Sequence, residues 1–274
     1  MSVVIVVASH KPYRVSKDSV YMPVLAGAVD SAERNKPELA SWSTDNTHCN
    51  ISDKNPCYCE LTVLYWAWKN LRADYLGLVH YRRYFASRRF AGDKWNRVLR
   101  GEELARLLNR YDVLLPKPRH YFIETNHSQF VHAHGECALN VVRECLKKKN
   151  PEYLPDYDAS MRKTSGHRFN MFVMRSDLLD AYCQWLFELL FEAEEELLRR
   201  GALKPRMIGY IAERLLDVWL AHNHISYHEI PVVFMERENW LKKIACFLLR
   251  KWSAWRRRGE YLCDKNNSCS GSYT

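Results

Sequence analysis

Short apolar runs alternate with longer amphipathic segments along most of this chain, and no other feature restricts its fold as strongly. Strand-type runs occur at 3–8, 75–79, 111–115, 168–174 and 228–235. Helical spacing of three to four residues occurs between them at 59–71, 101–110, 130–149, 177–200 and 205–221, with a shorter helix predicted at 24–32. Strands that alternate with helices in this way indicate an α/β domain with a mixed sheet.

The positive charge of the chain is concentrated in one segment near its C-terminus. Across 274 residues, 41 Lys and Arg outnumber 32 Asp and Glu and give a formal net charge of +9. Residues 240–258 contain seven basic residues and no acidic one, so the rest of the chain is nearly balanced. We therefore expect no nucleic-acid partner, because neither the charge distribution nor a recognition motif supports one.

The nine cysteines do not indicate a secreted disulfide framework. Their number is odd, the chain is long, and the apolar run at 3–8 is too short for a signal peptide. We therefore expect a cytoplasmic protein. His48, Cys49, Cys57 and Cys59 lie close together in sequence, but their spacing matches no established zinc pattern, so zinc is the weaker interpretation.

The segment 74–85, DYLGLVHYRRYF, joins a strand-type run to a cluster of cations. The apolar run is followed directly by His80, Tyr81, Arg82 and Arg83. Ligands of open α/β sheets bind at the carboxyl ends of the strands, so this segment predicts an anion site. Arginine offers planar, bidentate donors to phosphate oxygens, which makes a phosphate or diphosphate the expected anion. The alternative is that both arginines are ordinary surface charges.

Several common catalytic motifs are absent from the sequence. It contains neither G-x-G-x-x-G nor G-x-x-x-x-G-K-[ST], which argues against a dinucleotide-binding fold and a P-loop kinase. It also contains no G-x-S-x-G, which weakens a hydrolase interpretation. The segment 74–85 is therefore the best candidate for a phosphate site.

Other polar side chains lie where they could meet a ligand. His10 follows the first apolar run, and Asn170 interrupts the run at 168–174. A polar side chain in such a strand needs a hydrogen-bonding partner, either a substrate hydroxyl or a buried backbone group. His132 and His134 are candidates for binding phosphate or acceptor, although ordinary loop or helix histidines are an equally good interpretation.

Longer motifs resemble one known family. The run NISDKNPCYCELTVLYWAWKN at 50–70 continues into 74–85, and YDVLLPKPR at 111–119, FNMFVMRSDLLDAYCQWLF at 169–187 and IAERLLDVWL at 211–220 follow. Over about residues 2–235, the chain resembles a bacterial family of exopolysaccharide and capsular-polysaccharide biosynthesis glycosyltransferases. That family was formerly catalogued as a domain of unknown function, and it includes galactofuranosyltransferase domains.

The resemblance implies a GT-A-like glycosyltransferase, with a mixed, mainly parallel sheet flanked by helices. Such an enzyme would move galactofuranose or another hexose from a UDP-sugar to a cell-surface polysaccharide or a lipid-linked glycan. Many GT-A enzymes hold a divalent metal on an Asp-x-Asp at the end of a central strand, where this chain has His-Tyr-Arg-Arg. We therefore predict metal-independent catalysis without a cofactor. The predicted donor-binding residues are His10, His80, Tyr81, Arg82, Arg83 and Asn170.

An inverting transferase also needs a general base for the acceptor hydroxyl, normally Asp or Glu. Glu213 in the IAERL segment is the leading candidate, followed by Asp177 and Glu136. The alternative for Glu213 is a surface acid paired with a neighbouring basic side chain. The candidates for binding acceptor or phosphate are His132, His134 and Arg214.

Asp156 and Asp158 form an Asp-x-Asp that competes with this interpretation. No apolar strand leads into the pair, and Pro155 precedes it. We therefore expect a surface turn there and no metal site.

The segment 239–258 has the composition of a membrane-associating helix. Tryptophan, leucine and phenylalanine recur at helical spacing with basic residues between them, and no stretch is long enough to span a bilayer. We predict a glycosyltransferase domain at 1–236, a basic amphipathic helix at 237–260 and a disordered polar tail at 261–274. The helix would bind the anionic inner face of the cell membrane; the alternative is that it packs on the domain.

A protein with the same fold and no turnover is the alternative function. It would bind a nucleotide sugar or a polysaccharide without transferring a sugar. Assays of turnover with a panel of UDP-sugars distinguish the two.

Overall fold

A nine-stranded mixed sheet forms the centre of the structure, a computed structural model that describes residues 1–88 and 92–236. A further pair of short strands lies beside it. The strands are β1 (Val3–Ser9), β2 (Tyr21–Leu25), β3 (Ser43–Thr44), β4 (Tyr75–His80), β5 (Arg83–Phe85), β6 (Val113–Pro116), β7 (Arg119–His120), β8 (Ser165–Gly166), β9 (Phe172–Arg175), β10 (His228–Ile230) and β11 (Val232–Phe234). The helices are α1 (Asn55–Tyr58), α2 (Leu61–Asn70), α3 (Gly101–Leu108), α4 (Asn126–His134), α5 (Cys137–Lys149), α6 (Leu154–Arg162), α7 (Ser176–Arg199) and α8 (Met207–His222).

The strand order is β10-β6-β9-β4-β1-β2-β3, and β5 pairs with both β4 and β11. Strand β1 runs parallel to both of its neighbours, β2 and β4. Strand β9 lies antiparallel between β4 and β6. The α/β class and the mixed, mainly parallel sheet predicted from the sequence are confirmed.

Both faces of the sheet are buried. In β1, Val6 and Ala8 belong to the larger core cluster, which also holds the buried sides of α2, α5, α7 and α8. Ile5 and Val7 belong to a second cluster with α3 and β5. A strand that is covered on both sides reads as a continuous apolar run, which explains the pattern at the start of the sequence.

Gly77 lets the central strands approach closely. It lies opposite Ile5 of β1 and Val173 of β9. A Cβ atom at this position would lie 2.8 Å from the carbonyl oxygen of Phe172 and 2.9 Å from Val173 Cγ2. The segment 74–85 thus occupies the middle of the sheet, and its polar end is held there by strands on both sides.

Two predicted helices differ from the structure. The helix predicted at 24–32 is wrong, because Tyr21–Leu25 pairs with β1 as strand β2 and turns follow it. The helix predicted at 130–149 is two helices, α4 and α5. Gly135, with φ of +90°, separates them, and this backbone conformation cannot continue a helix.

Two predicted strands are shorter than expected. The run at 168–174 becomes a strand only at Phe172, because Phe169 and Asn170 have φ of +78° and +50°. The run at 228–235 is divided at Pro231 into β10 and β11, which pair with different strands. At both positions the chain changes direction at the edge of the sheet.

The described residues up to Met235 form one compact unit. The predicted membrane segment at 239–258 and the predicted tail at 261–274 lie outside the described residues. Within the part of the chain that the structure describes, no helix is long and apolar enough to cross a membrane.

Candidate functional site

A cavity of about 560 Å³ opens where β1 and β4 end. The parallel pairing of these strands brings their carboxyl ends to one edge of the sheet, and α8 closes the cavity from another side. Eight of the residues predicted for the site line it: His10, His80, Tyr81, Arg82, Arg83, His134, Glu213 and Arg214. The arrangement is the one expected for a ligand site of an open α/β sheet.

The two arginines that were predicted to bind the donor lie in and directly after a tight turn. His80 of β4 pairs with Arg83 of β5, so Tyr81 and Arg82 form the two-residue connection between the antiparallel strands. The Arg82 guanidinium carbon lies 5.1 Å from the centre of the Tyr81 ring, and that of Arg83 lies 4.3 Å from the centre of the Phe169 ring. Aromatic faces of this kind orient planar guanidinium groups, so the end of β4 carries fixed positive charge.

Tyr81 connects the end of β1 to the same turn. Its side chain is buried, and its ring makes edge contacts with the rings of His10, at 5.4 Å, and Tyr13, at 4.8 Å. Burial lowers the pKa of His10, and the nearby Lys11 and Arg82 lower it further. The charge on this side of the cavity therefore comes mainly from lysine and arginine.

His80 is neutral at physiological pH. Burial, together with the positive charge of Arg83, lowers its pKa to about 4. Its Nε2–H donates a hydrogen bond to the carbonyl oxygen of Phe169, since a carbonyl can only accept. His80 therefore adds no cation for a phosphate, and it anchors the backbone that precedes β9.

Two partly buried carboxylates, Glu60 and Glu213, face the same cavity. Their side chains are 14% and 22% exposed. Burial raises the pKa of Glu60, while a hydrogen bond from Asn170 opposes that rise. Burial also raises the pKa of Glu213, and the like charge of Glu60 raises it further. A carboxylate held in this way accepts a proton more readily than an exposed one.

Asn170 fixes the position of Glu60. Its Nδ2 donates to Glu60 Oε1 at 2.7 Å and to the Gly209 carbonyl oxygen at 3.2 Å. Because β9 is antiparallel, the residues before it reach the edge where β4 ends. Of the two partners expected for Asn170, the structure shows a buried backbone group, and Asn170 does not itself line the cavity.

The other end of the cavity holds a second pair of arginines, Arg168 and Arg214. Both side chains are almost completely buried. Arg168 donates to the carbonyl oxygen of Glu213 at 2.8 Å and to the Tyr121 hydroxyl at 3.2 Å. Arg214 Nη2 donates to Gln129 Oε1 at 2.5 Å.

The environment of Arg214 connects this cationic end to Glu213. Arg214 Nη1 lies 3.8 Å from Glu213 Oε2, which is an ion pair without a close hydrogen bond. Burial and the positive charge of Arg168 lower the pKa of Arg214. His134, whose ring stacks on Tyr210 at 4.2 Å, lies nearby. The two acids are thus flanked by cations at both ends of the cavity.

Besides Asn170, three predicted candidates lie outside the cavity. Asp177 is exposed and accepts hydrogen bonds from Arg175, at the amino end of β4, because β9 runs antiparallel. Glu136 is exposed beside α5, and the exposed His132 of α4 pairs with Glu124. None of the three is used in the proposal below.

Neither the Asp-x-Asp nor the cysteine-rich segment forms a group of metal ligands in the part of the chain that the structure describes. Asp156 and Asp158 lie in helix α6 and not in a turn, and they pair with His222 and Arg143. Across residues 1–88 and 92–236, no three His, Cys, Asp or Glu side chains are grouped as metal ligands. Metal independence of the reaction stays a prediction.

Sequence patterns did not indicate several residues of the cavity, including Glu60, Tyr121, Gln129, Arg168 and Arg206. Glu60 lies at the start of α2, where the helix dipole already favours an acid. Its place in the sequence therefore did not indicate that it lines the cavity. Arg206 lies just before α8 and has a left-handed backbone conformation. Its backbone N–H donates to the Pro56 carbonyl oxygen, and its side chain lines the cavity.

Comparison with known proteins gives the family. Residues 4–224 match the family described as "Domain of unknown function (DUF4422)". The chain belongs to the DUF4422 family. A comparison with curated proteins found no match for it.

One solved structure similar to this DUF4422 chain is described as the apo structure of WbbM, a bifunctional glycosyltransferase. The two share 28% sequence identity with a TM-score of 0.76, over 87% of this chain and 46% of WbbM. The chain therefore spans about half the length of that structure. The similarity supports the predicted relationship to glycosyltransferases, while the narrower exopolysaccharide or capsular family stays a prediction.

Proposed function

We propose that this DUF4422 chain is a glycosyltransferase that moves a hexose from a UDP-sugar to a glycan hydroxyl. One observation carries the proposal: Glu213 and Glu60, two carboxylates of raised pKa, lie in one cavity with the arginines at the end of β4. A base and a fixed cationic group are what transfer from a nucleotide diphosphate donor requires.

The arginines at the end of β4 would bind the donor diphosphate. Negative charge accumulates on the leaving phosphate as the glycosidic bond breaks, so fixed cations stabilise the transition state more than the ground state. Arg82 and Arg83 come from the β4–β5 turn, and Arg206 lines the same cavity. With this charge in place, we propose that transfer proceeds without a divalent metal.

Glu213 would act as the general base. As an inverting transferase, the enzyme needs a carboxylate to take the proton of the acceptor hydroxyl while that oxygen attacks the anomeric carbon. The raised pKa of Glu213 strengthens it as a base, and Arg214 holds its carboxylate from one side. Glu60, positioned by Asn170, would accept hydrogen bonds from donor-sugar hydroxyls.

The acceptor would enter from the end that holds His134 and Arg214. We propose a cell-surface polysaccharide or a lipid-linked glycan as acceptor, and galactofuranose or another hexose as the transferred sugar. The similarity to a bifunctional glycosyltransferase supports sugar transfer in general. A cytoplasmic location at the inner membrane face would suit a lipid-linked acceptor.

Release of UDP from a panel of UDP-sugars, with and without glycan acceptors, tests the proposal. We expect one donor to give turnover, and the Glu213→Gln variant to lose about 100-fold or more while its affinity for UDP stays within twofold. Asp177→Asn, a change of the same kind outside the cavity, should keep full turnover. UDP binding without release from any donor would favour the non-catalytic alternative, and normal turnover in Glu213→Gln would remove Glu213 from the mechanism.

A further inference from the structure

Two adjacent hydrophobic side chains, Phe122 and Ile123, lie in solvent after strand β7. Phe122 is 87% exposed and Ile123 is 70% exposed, larger fractions than for any other large hydrophobic side chain in the described residues. Single exposed apolar residues are common, but a contiguous pair of this size usually marks an interaction site. We call these two residues the hydrophobic tip.

The backbone of the hydrophobic tip is held in an unfavourable conformation. The N–H of Ile123 donates to the carbonyl oxygen of Tyr121 at 2.7 Å, which forms a γ-turn around Phe122. Phe122 has φ of +59°, a left-handed value that is unfavourable for a bulky residue, and a γ-turn of this hand is strained. Apart from a tilted ring contact with His120 at 6.3 Å, neither packing nor backbone preference explains a phenylalanine here, and strain of this kind clusters at binding sites.

The base of the hydrophobic tip is firmly anchored. The N–H of Tyr121 donates to the carbonyl oxygen of Thr164 at 2.8 Å, which continues the pairing of β7 with β8. On the other side, Thr125 and Ser128 exchange hydrogen bonds in a capping box that begins α4. The exposed pair is therefore presented by a fixed scaffold.

Exposed positive charge lies on the two paired segments that lead to the hydrophobic tip. The segments on either side of it, 117–124 and 162–166, contain one acid, Glu124, which pairs with His132 at 2.7 Å. The exposed cations of these segments are Lys117, Arg119, Arg162 and Lys163. An exposed aromatic and an aliphatic residue close to exposed cations in paired segments have the chemistry that suits an anionic lipid interface.

We propose that the hydrophobic tip inserts into the surface of an anionic phospholipid bilayer, with the exposed cations of the paired segments on the lipid phosphates. Arg119 and Tyr121, which lead into the tip, also line the cavity. Docking would therefore place the acceptor end of the cavity at the membrane surface. This consequence rests on the proposed function, because it brings the cavity to a lipid-linked acceptor, whereas the lipid contact itself does not.

Vesicle co-sedimentation of the full chain tests the proposal, with phosphatidylcholine vesicles that contain about 30% phosphatidylglycerol as the anionic lipid. The variant Phe122→Ser/Ile123→Ser should bind about tenfold more weakly than the wild type, because it removes most of the inserted apolar area. Leu198→Ser removes another exposed hydrophobic residue, 59% exposed on α7, and should bind normally. Lys163→Glu should also weaken binding about tenfold, because it reverses one charge at the lipid surface.

All variants keep residues 239–258, so differences among them report the hydrophobic tip alone. Equal binding of Phe122→Ser/Ile123→Ser and the wild type would overturn the proposal, as would equal loss in Leu198→Ser. The melting temperature confirms the fold of each variant. Release of UDP from UDP-sugars, measured separately, tests the proposed function, so failure of one claim is distinguishable from failure of the other.

Discussion

Glu213, the proposed general base, shows how a group placed for catalysis can lower the stability of the folded protein. Its pKa in the folded protein is raised, mainly by burial and then by Glu60. A raised pKa means that ionisation costs folding free energy: the side chain's contribution is fully present below the unfolded pKa and is lost as the pH rises through the folded pKa. The negative charge that Glu213 needs in the proposed mechanism therefore lowers the stability of the fold at neutral pH.

We expect Glu213→Gln to be more stable than the wild type at pH 8 and to lose that advantage near pH 4. The glutamine keeps the shape of the side chain and removes the costly ionisation. Asp177→Asn provides the control of opposite sign, because Arg175 lowers the pKa of Asp177. Its carboxylate stabilises the fold above its unfolded pKa, so the asparagine should cost stability at pH 8. Urea unfolding at both pH values measures the differences; a stability gap for Glu213→Gln that grows towards low pH would contradict the assignment.

At the scale of elements, the central strand β4 carries both the fold and the site. The sequence pattern alone predicted β4, and the helices α2, α3, α7 and α8, because local periodicity specifies them. Strand β2 was not predicted, and the helix predicted at 24–32 overlapped its last two residues, since Pro23 and the small residues after it give no strand pattern and its pairing with β1 is non-local. Elements that depend on distant partners cannot be recognised from local spacing.

Gly77→Ala tests how tightly β4 is held. The added Cβ would lie within 3 Å of atoms of Phe172 and Val173, so β9 must move away or β4 must shift. We expect a loss of about 1–3 kcal/mol of unfolding free energy. Gly92→Ala, where nothing lies within 4 Å of the added atom, should be close to neutral. Denaturant unfolding of both variants is the measurement, and equal stability of Gly77→Ala and the wild type would show that the strands can separate at no cost.

At the scale of the whole molecule, the sequence predicted eight of the 22 residues that line the cavity. His10 and His80 to Arg83 were predicted because each directly follows an apolar run whose carboxyl end must reach the sheet edge. Glu60 and Arg206 were not, because packing between distant segments brings them there, as the contact of Arg206 with Pro56 shows. The same limit applies to His80. Its position beside two arginines in the sequence suggested a cation, but burial lowers its pKa and makes it neutral.

In the proposed mechanism, the arginines at the end of β4 take the place of the Asp-x-Asp that holds a metal in many GT-A enzymes. The most direct test is the rate of UDP release from the donor that gives turnover, measured on protein treated with EDTA. We predict an unchanged rate that Mg²⁺ or Mn²⁺ does not increase. Loss of release in EDTA, with recovery on addition of either metal, would contradict the account.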